Sequence, residues 1–360
     1  MKYSLDDYLA VGLPALFASG LAGRDQVAKM RAAARLLPPS ADFGFECRLS
    51  DDDATLDLCA RVAADDGTRA AYAGANSSVH LAPAWLRHEA WRRLQRLCAR
   101  WATAGSALHQ EIVDLWIELD YAELAADVPT PCLFVKPRSD RSAAPVVARA
   151  LGGLLRHDGV DFVLPAAVRR CFDALPPGAA ITRVGVMASR SDSPMRLVVQ
   201  INAGDVADFL AAVRWPGSFT QLDHFLRDIA PLTSSCVLNL DVHQTLSPKL
   251  AFECACAEAD APEELLARLF DRLHALGLSA RRKAEALMRW PGVTASSPAA
   301  PWPPNLTAAA HRLARRSAFV RRVSHLKMVY EEAEPPTAKA YFGMSHRWLG
   351  VARAAGHKTI

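Results

Sequence analysis

Four pairs of strand-like segments recur along the chain, each separated from the next by helical sequence, and this repetition strongly limits how the chain can fold. The pairs occupy residues 112–121 with 132–136, 181–189 with 195–201, 235–243 with 249–256, and 323–331 with 338–345. The links inside the last three pairs are short, which favours antiparallel hairpins over parallel crossovers. The sequence therefore predicts repeated α-α-β-β units, a fold of the α/β (α+β) class.

A closed barrel is the simplest way for such units to bury themselves. A hairpin alone leaves two unpaired edges and one exposed apolar face, and joining the hairpins edge to edge under a layer of helices removes both. Counting residues 43–49 and one weaker neighbour, we expect an antiparallel β-barrel of about ten strands surrounded by helices. We place this barrel at residues 41–346, after a helical segment at 1–40 and before a tail at 347–360. A further basic helix is expected at residues 306–319.

Alternation along the strands separates apolar from charged side chains. In residues 115–120, leucine and isoleucine occupy one face, whereas Trp116, Glu118 and Asp120 occupy the other. If helices cover the barrel, the charged faces line its lumen. The expected lumen cations are Lys136, Arg183, Arg196, Lys249, Lys327 and Lys339, and the expected carboxylates include Glu118, Asp241 and Glu253. Such a group of cations suits a polyanion such as a diphosphate. The alternative is an open sheet whose charged face lies in solvent.

Composition and motifs argue against several other classes of protein. The formal net charge is only +4 and the basic clusters are short, so nucleic acid is not an expected partner. No segment approaches the ~20 apolar residues of a membrane span, and no signal peptide is evident, so we expect no membrane partner and a cytoplasmic location. The eight cysteines lack C-x-x-C spacing, which indicates reduced thiols rather than a zinc site. Glycine-rich nucleotide loops and a G-x-S-x-G elbow are also missing.

Two segments carry a resemblance to a known family. Residues 181–201 combine Gly185 and Arg190 with a serine-containing turn and Met195-Arg196-Leu197. This hairpin resembles the corresponding hairpin of cyanobactin-type peptide prenyltransferases. More broadly, the α-α-β-β repeat resembles the ABBA (PT-barrel) fold of the indole and phenol prenyltransferases. The segment Lys339-Ala340-Tyr341 is similar to the Lys-x-Tyr strands with which that family holds a diphosphate.

The resemblance implies an enzyme that transfers an isoprenoid from an allyl diphosphate to an aromatic small molecule or a peptide side chain. The diphosphate-binding residues would be Arg183, Arg196, Lys249, Lys327, Lys339 and Tyr341. The rings of Trp116, Phe134 and Tyr341 would shield the allyl cation. Glu118 would accept the proton of the acceptor, or would instead pair with a lumen cation.

Other functions and ligands remain open at this level. We expect no resident metal or other cofactor, with Mg²⁺ as an alternative. A non-catalytic binding or scaffold protein would hold a peptide in the same cavity or on the outer helices. A transferase with a different anionic donor would also suit the predicted lumen cations.

Overall fold

The computed structural model describes most of the chain between residues 4 and 350. The described ranges are 4–50, 55–65, 67–75, 79–138, 141–155, 162–190, 192–229, 235–256, 262–296, 302–332 and 334–350. The strands are β1 Asp42–Arg48, β2 Leu56–Ala63, β3 Ile112–Leu119, β4 Cys132–Pro137, β5 Ala180–Val186, β6 Met195–Asn202, β7 Ser235–Val242, β8 Leu246–Ala255, β9 Gly292–Ala295, β10 Arg315–Glu331 and β11 Glu334–Gly350. The helices are α1 Leu5–Ser19, α2 Arg24–Ala34, α3 Thr68–Tyr72, α4 Glu89–Ala102, α5 Ala107–Glu111, α6 Ala143–Leu155, α7 Ala166–Asp173, α8 Val206–Ala212, α9 Phe219–Ile229, α10 Pro262–Ala275, α11 Arg281–Met288 and α12 Pro304–Leu313.

Ten of the strands close into a ring. Strands β1 to β8 pair in chain order, β10 pairs with β8 and β11, and β11 pairs back with β1. Each of these pairings is antiparallel. Strand β9 lies outside the ring, against the first part of β10. The predicted antiparallel barrel is confirmed, and the open-sheet alternative does not hold.

The outer faces of the strands form the hydrophobic core together with the helices. On β3, Leu115, Ile117 and Leu119 are at most 1% exposed. They belong to one continuous cluster with helix residues such as Leu94 of α4 and Val147 of α6. Burial of apolar surface is the dominant favourable contribution to folding, so this contact between helices and strands stabilises the closed barrel. Because successive side chains alternate along a strand, the charged residues between them face the lumen.

The last hairpin starts differently from the prediction. A helix was expected over residues 306–319, but α12 ends at Leu313 and β10 begins at Arg315. The first part of β10 pairs with both β9 and the end of β11, and this tertiary pairing outweighs the helix propensity of an Ala- and Arg-rich segment. Strand β11 also continues to Gly350, past the expected domain boundary at residue 346.

Helices α1 and α2 account for most of the predicted N-terminal helical segment. Asp6 of α1 accepts two hydrogen bonds from the guanidinium of Arg31 in α2, at 2.7 and 3.1 Å. Helix α1 also meets the last hairpin, where Tyr8 makes edge contacts with the rings of Phe319 and His346. In the part of the chain that is described, no helix is both long enough and apolar enough to cross a bilayer.

Candidate active site

Two chambers of ligand size lie among the described residues of the lumen, one toward each end of the strands. The first, which we call the charged chamber, has a volume of about 540 Å³. The second, the aromatic chamber, has a volume of about 580 Å³. Glu118, Asn239 and Lys327 line both, so the chambers meet at these three side chains. Along β3 the order is clear: Asp120 lines the charged chamber and Asp114 lines the aromatic one.

The predicted diphosphate-binding residues divide between the two chambers. Arg196, Lys249, Lys327 and Lys339 line the charged chamber. Arg183 and Tyr341 line the aromatic chamber instead. Lys136, expected in the lumen, is exposed and lines neither chamber. The structure therefore brings four of the predicted cations together at one end of the barrel.

Each of the five predicted diphosphate-binding cations forms an ion pair. The pairs are Arg183 with Asp114 at 3.0 Å, Arg196 with Asp241 at 2.7 Å, Lys249 with Glu331 at 2.8 Å, Lys327 with Glu253 at 3.3 Å, and Lys339 with Glu46. Strand register sets two of these pairs, since Arg196 lies opposite Asp241 and Lys327 lies opposite Glu253. A polyanion that enters the charged chamber must therefore compete with carboxylates that already neutralise the cations.

Arg196 and Lys327 are the most deeply buried of these cations, at 8% and 5% exposed. Burial alone would lower the pKa of Arg196, but the hydrogen bonds and charge of Asp241 outweigh it and raise that pKa. Burial also lowers the pKa of Lys327, against the opposing charge of Glu253. The Lys327 ammonium donates to Asn239 Oδ1 at 2.9 Å, so it is held at the junction of the chambers by two partners.

Glu46 on β1 is a lumen residue that the sequence analysis missed. It is 4% exposed and accepts hydrogen bonds from Lys339 Nζ and the Tyr341 hydroxyl. Burial acts to raise the pKa of Glu46, but the charges of Lys339 and Lys327 hold it below the ordinary value, so the group is ionised. The alternation of Phe43, Phe45 and Cys47 against Glu46 is the same signal that was used for β3, and it would have placed Glu46 in the lumen.

Glu118, the predicted proton acceptor, lies where the chambers meet and is 6% exposed. Its carboxyl accepts a hydrogen bond from the Cys59 thiol, with 3.8 Å between Sγ and Oε2. Among the described residues it forms no ion pair, so the alternative role as a partner of a lumen cation is not seen. Burial, followed by the charges of Glu46 and Asp57, raises the pKa of Glu118 to about 8. A carboxyl with a pKa near the working pH is well suited to proton transfer.

Asp57 completes a cluster of carboxyls with Glu46 and Glu118. It lies opposite Glu46 in the β1–β2 pairing and accepts a hydrogen bond of 2.7 Å from the backbone N–H of Tyr121. Burial, followed by the charge of Glu46, raises the pKa of Asp57 to about 7. Oxygens of the three carboxyls lie within 4.8 Å of one another, close enough for a divalent cation to bridge. The raised pKa values describe a cluster that holds protons near neutral pH, and we assign no metal to it.

The three predicted shielding rings all line the aromatic chamber. Trp116 on β3 lies opposite Phe134 on β4. Gly185 lies opposite Phe134 on the other side, and a Cβ at this glycine would come within 2.8 Å of the Phe134 ring, so glycine leaves the space the ring occupies. The Tyr341 ring stacks on the imidazole of His325 with 4.2 Å between centroids. The chamber thus offers π faces on three strands, which suit a cation or an aromatic ligand.

Charged residues of both signs lie at the outer end of the aromatic chamber. Arg61 donates to Asp42 at 2.9 Å and to Asp114 at 3.2 Å. Asp114 also accepts from Arg183 at 3.0 Å. Side chains of Arg61 and Arg183 remain 25% and 31% exposed, so this network borders solvent. The arrangement can recognise a ligand that carries both a positive and a negative group.

We compared the chain with known proteins in sequence and in structure. No protein-family model matches the chain, and no curated protein matches it in sequence. The apo structure of prenyltransferase PriB matches with a TM-score of 0.54 and 16% identity, over 94% of this chain and 96% of PriB. A complex of 5-dimethylallyl tryptophan synthase from Streptomyces coelicolor with DMASPP and Trp matches with a TM-score of 0.53 and 15% identity, over 94% of both chains.

The chain has the ABBA prenyltransferase fold. A ternary complex of PriB with L-tryptophan and dimethylallyl thiolodiphosphate is a further match, at a TM-score of 0.51 and 16% identity, over 94% of this chain and 95% of that one. The matched part of the chain is longer than residues 40–346, so the expected bounds of the ABBA barrel stay a prediction. None of these three structures is a cyanobactin-type enzyme, so the closer resemblance to that subtype stays a prediction.

Proposed function

We propose that the protein transfers an isoprenoid group from an allyl diphosphate to an aromatic acceptor inside the ABBA barrel. The observation that carries this proposal is the pair of chambers, one charged and one aromatic, that meet at Glu118, Asn239 and Lys327. An allyl diphosphate has a polyanionic end and an apolar end. Such a molecule would place each end in the chamber that suits it.

The donor diphosphate would lie in the charged chamber. Lys339, Arg196 and Lys327 are its proposed ligands, with Lys249 nearer the mouth, where it is 41% exposed. These groups would stabilise the charge that develops on the diphosphate as the bond between allyl C1 and oxygen breaks and its electron pair leaves with the oxygen. Tyr341 would add a hydroxyl donor at the same end, since its oxygen already bonds Glu46 beside Lys339.

The allyl cation would form at the junction and be shielded by rings of the aromatic chamber. Lys327 Nζ lies 5.6 Å from the centroid of Tyr341, so that ring already interacts with a cation. Trp116 and Phe134 would supply the other faces. An electron-rich carbon of the acceptor would attack allyl C1, and Glu118 would take the proton that the acceptor then loses.

The acceptor would enter through the aromatic chamber, whose outer end carries Arg61, Asp114 and Arg183. We therefore reassign Arg183 from the diphosphate to the acceptor. Aromatic amino acids and peptides with an aromatic side chain carry groups of both signs that match this end of the barrel. The PriB and 5-dimethylallyl tryptophan synthase complexes contain tryptophan, which supports an aromatic acceptor of this kind.

The test is incubation with dimethylallyl or geranyl diphosphate and a panel of acceptors, followed by mass spectrometry and assay of released diphosphate. The panel contains tryptophan, tyrosine, their dipeptides, and a simple phenol and indole. We expect one isoprenoid group on the acceptor for each diphosphate released, and loss of the product in Glu118→Gln. Failure of both donors to bind by calorimetry, together with absence of product, would contradict the proposal.

The complete ion pairing of the predicted cations favours a second candidate, a barrel that binds a zwitterionic aromatic ligand without chemistry. A chamber whose charges are already balanced attracts polyanions weakly, whereas the aromatic chamber is ready to accept a neutral or zwitterionic molecule. The same incubation separates the two functions. A binding protein would retain the aromatic ligand unchanged and would release no diphosphate.

A further inference from the structure

Glu46 stands between groups of opposite charge. On one side it accepts hydrogen bonds from Lys339 and Tyr341, both on β11. On the other side it faces Asp57 and Glu118, with carboxyl oxygens of all three within 4.8 Å of one another. Because Glu46 is only 4% exposed, water contributes little to balancing its charge. Its ionisation depends on the cations beside it.

The groups that hold Glu46 are those proposed to bind the donor diphosphate. In this structure the Glu46 carboxylate takes one of the three N–H donors of the Lys339 ammonium and the single O–H donor of Tyr341. A diphosphate oxygen cannot take the same position while the carboxylate remains there. A diphosphate that uses the Tyr341 hydroxyl and this Lys339 donor must therefore displace the Glu46 carboxylate.

We propose that Glu46 is an internal anion at the site of the donor's diphosphate, and that the diphosphate displaces its carboxylate, which then takes up a proton. This inference rests on the proposed function and deepens it. The Lys339–Glu46 ion pair is replaced by a Lys339–diphosphate pair, and one proton from solvent neutralises the Glu46 carboxylate.

The charged and titratable groups around Glu46 explain the proton. The groups are Lys339 and Tyr341 on β11, Lys327 on β10, Arg196 on β6, Asp57 and Cys59 on β2, and Glu118 with Asp120 at the end of β3. The three cations offset part of the carboxylate charge, and a diphosphate would claim all three. Its own negative charges would then repel the carboxyls, which favours their protonated forms.

The two carboxyls beside Glu46 have pKa values near neutral pH. Burial and the charge of Glu46 raise the pKa of Asp57 to about 7 and that of Glu118 to about 8. Without Lys339 and Tyr341, Glu46 would meet the same burial and like charges, so its own pKa would rise and it would take up the proton. After transfer, return of Glu46 to Lys339 and Tyr341 would expel the diphosphate product. The same carboxylate thus limits affinity for the donor and assists release of the leaving group.

The experiment measures binding of inorganic diphosphate by calorimetry, near neutral pH, in two buffers of different ionisation enthalpy. The variant Glu46→Gln keeps the shape of the side chain and removes its charge. We expect Glu46→Gln to bind diphosphate at least about tenfold more tightly than the wild type. The wild type should take up about one more proton per diphosphate than the variant, a difference that cancels the protonation of the ligand itself.

Asp6→Asn is the matched control, because Asp6 is also a buried, ion-paired carboxylate but lies on helix α1, pairs with Arg31 and Arg35, and lines neither chamber. It should change diphosphate affinity less than about twofold. An equal gain in diphosphate affinity in both variants overturns the inference while the proposed function stands. Equal proton uptake by the wild type and Glu46→Gln does the same. If diphosphate binds neither protein, the inference and the proposed donor site fail together.

A measurement on the wild type alone keeps the inference testable if Glu46→Gln does not fold. Infrared difference spectra on adding diphosphate should show loss of a carboxylate band and gain of a protonated carboxyl band. The absence of that gain, with diphosphate bound, overturns the proposal.

Discussion

Glu118 has an unusual environment for a carboxyl, because it is buried among other carboxyls and is bonded only to a thiol among the described residues. Its pKa of about 8 in the folded protein lies above the ordinary value of 4.5. The folded state therefore binds more protons than the unfolded chain between these values. The stabilising contribution is fully present below pH 4.5 and is lost as the pH rises through about 8.

We predict that Glu118→Gln removes much of this pH dependence. Wild-type stability should fall by on the order of 1–3 kcal/mol between mildly acidic and mildly alkaline pH because of Glu118, with Asp57 adding a loss in the same direction. The stability of Glu118→Gln should fall less over the same pH range. Urea unfolding followed by circular dichroism across this pH range measures the effect. An identical slope in both proteins would show that Glu118 already ionises freely in the folded barrel.

The proposed transferase activity should depend on the ionisation of the same group, with the opposite dependence on pH. Proton transfer to Glu118 requires the ionised carboxylate, so kcat/KM for isoprenoid transfer should rise with pH through about 8. Glu118→Gln should reduce kcat/KM roughly 100-fold and flatten the remaining profile. A residual profile that still rises through the same range would assign the titration to another group.

Lys339→Ala separates the transferase from the non-catalytic binding protein. The variant loses a proposed ligand of the diphosphate and leaves Glu46 without its main counter-ion. A transferase should lose kcat/KM roughly 100-fold or more, mainly through the donor. A binding protein should keep its affinity for the aromatic ligand. Lys136→Ala, at an exposed lysine on β4, is the control and should have wild-type activity.

At this scale the sequence located most of the lumen residues but not their pairings. Alternation along β3 and β10 placed Glu118 and Lys327 correctly in the interior, because that pattern depends only on the strand repeat. The partners of the cations depend on register between strands that are distant in sequence. Arg196 meets Asp241 through the register of β6 and β7, and Lys339 meets Glu46 where β11 closes the ring on β1.

The seam between β1 and β11 shows how single residues control an element. Gly44 and Gly343 lie opposite each other. A Cβ built on Gly343 would come within 2.4 Å of the Phe43 carbonyl oxygen, and one on Gly44 within 2.6 Å of the Phe342 carbonyl oxygen. These contacts involve backbone atoms, which cannot move without separating the strands. Glycine at both positions therefore permits the closest approach at the seam.

We predict that Gly343→Ala destabilises the barrel by about 2–4 kcal/mol, since the strands at the seam must separate or rotate. Gly204→Ala is the control, because a Cβ at Gly204 meets nothing within 4 Å. It should be neutral or change stability by less than about 1 kcal/mol. Urea midpoints of the two variants give the comparison. Equal stability of both variants would mean that the seam relaxes without loss of pairing.

The elements themselves were largely predictable where local pattern and tertiary pairing agree. Residues 235–243 and 249–256 alternate clearly and form β7 and β8. The segment 314–319 is different, because Ala and Arg favour a helix whereas pairing with β9 and β11 requires a strand. Local propensity amounts to less than about 1 kcal/mol per residue, and a strand that joins two neighbours gains more.

At the scale of the whole molecule, closure of the barrel gives the two faces of each strand different roles. Apolar outer faces bind the helices, and the inner faces form chambers that open toward opposite ends. Exposed Thr337 lines the charged chamber, and exposed Ser324 lines the aromatic one. Both lie in the last hairpin, so bulky substitutions at either position obstruct one mouth with little effect on the core.

Two such substitutions test whether donor and acceptor use different mouths. Thr337→Trp should raise KM for the allyl diphosphate roughly tenfold and leave KM for the acceptor nearly unchanged. Ser324→Trp should raise KM for the acceptor and leave KM for the allyl diphosphate nearly unchanged, because it narrows the approach to Trp116 and Phe134. Steady-state kinetics with each substrate varied in turn distinguishes the outcomes. If both variants raise the KM of the same substrate, the two ligands share one entrance, and the division of the lumen into donor and acceptor chambers is wrong.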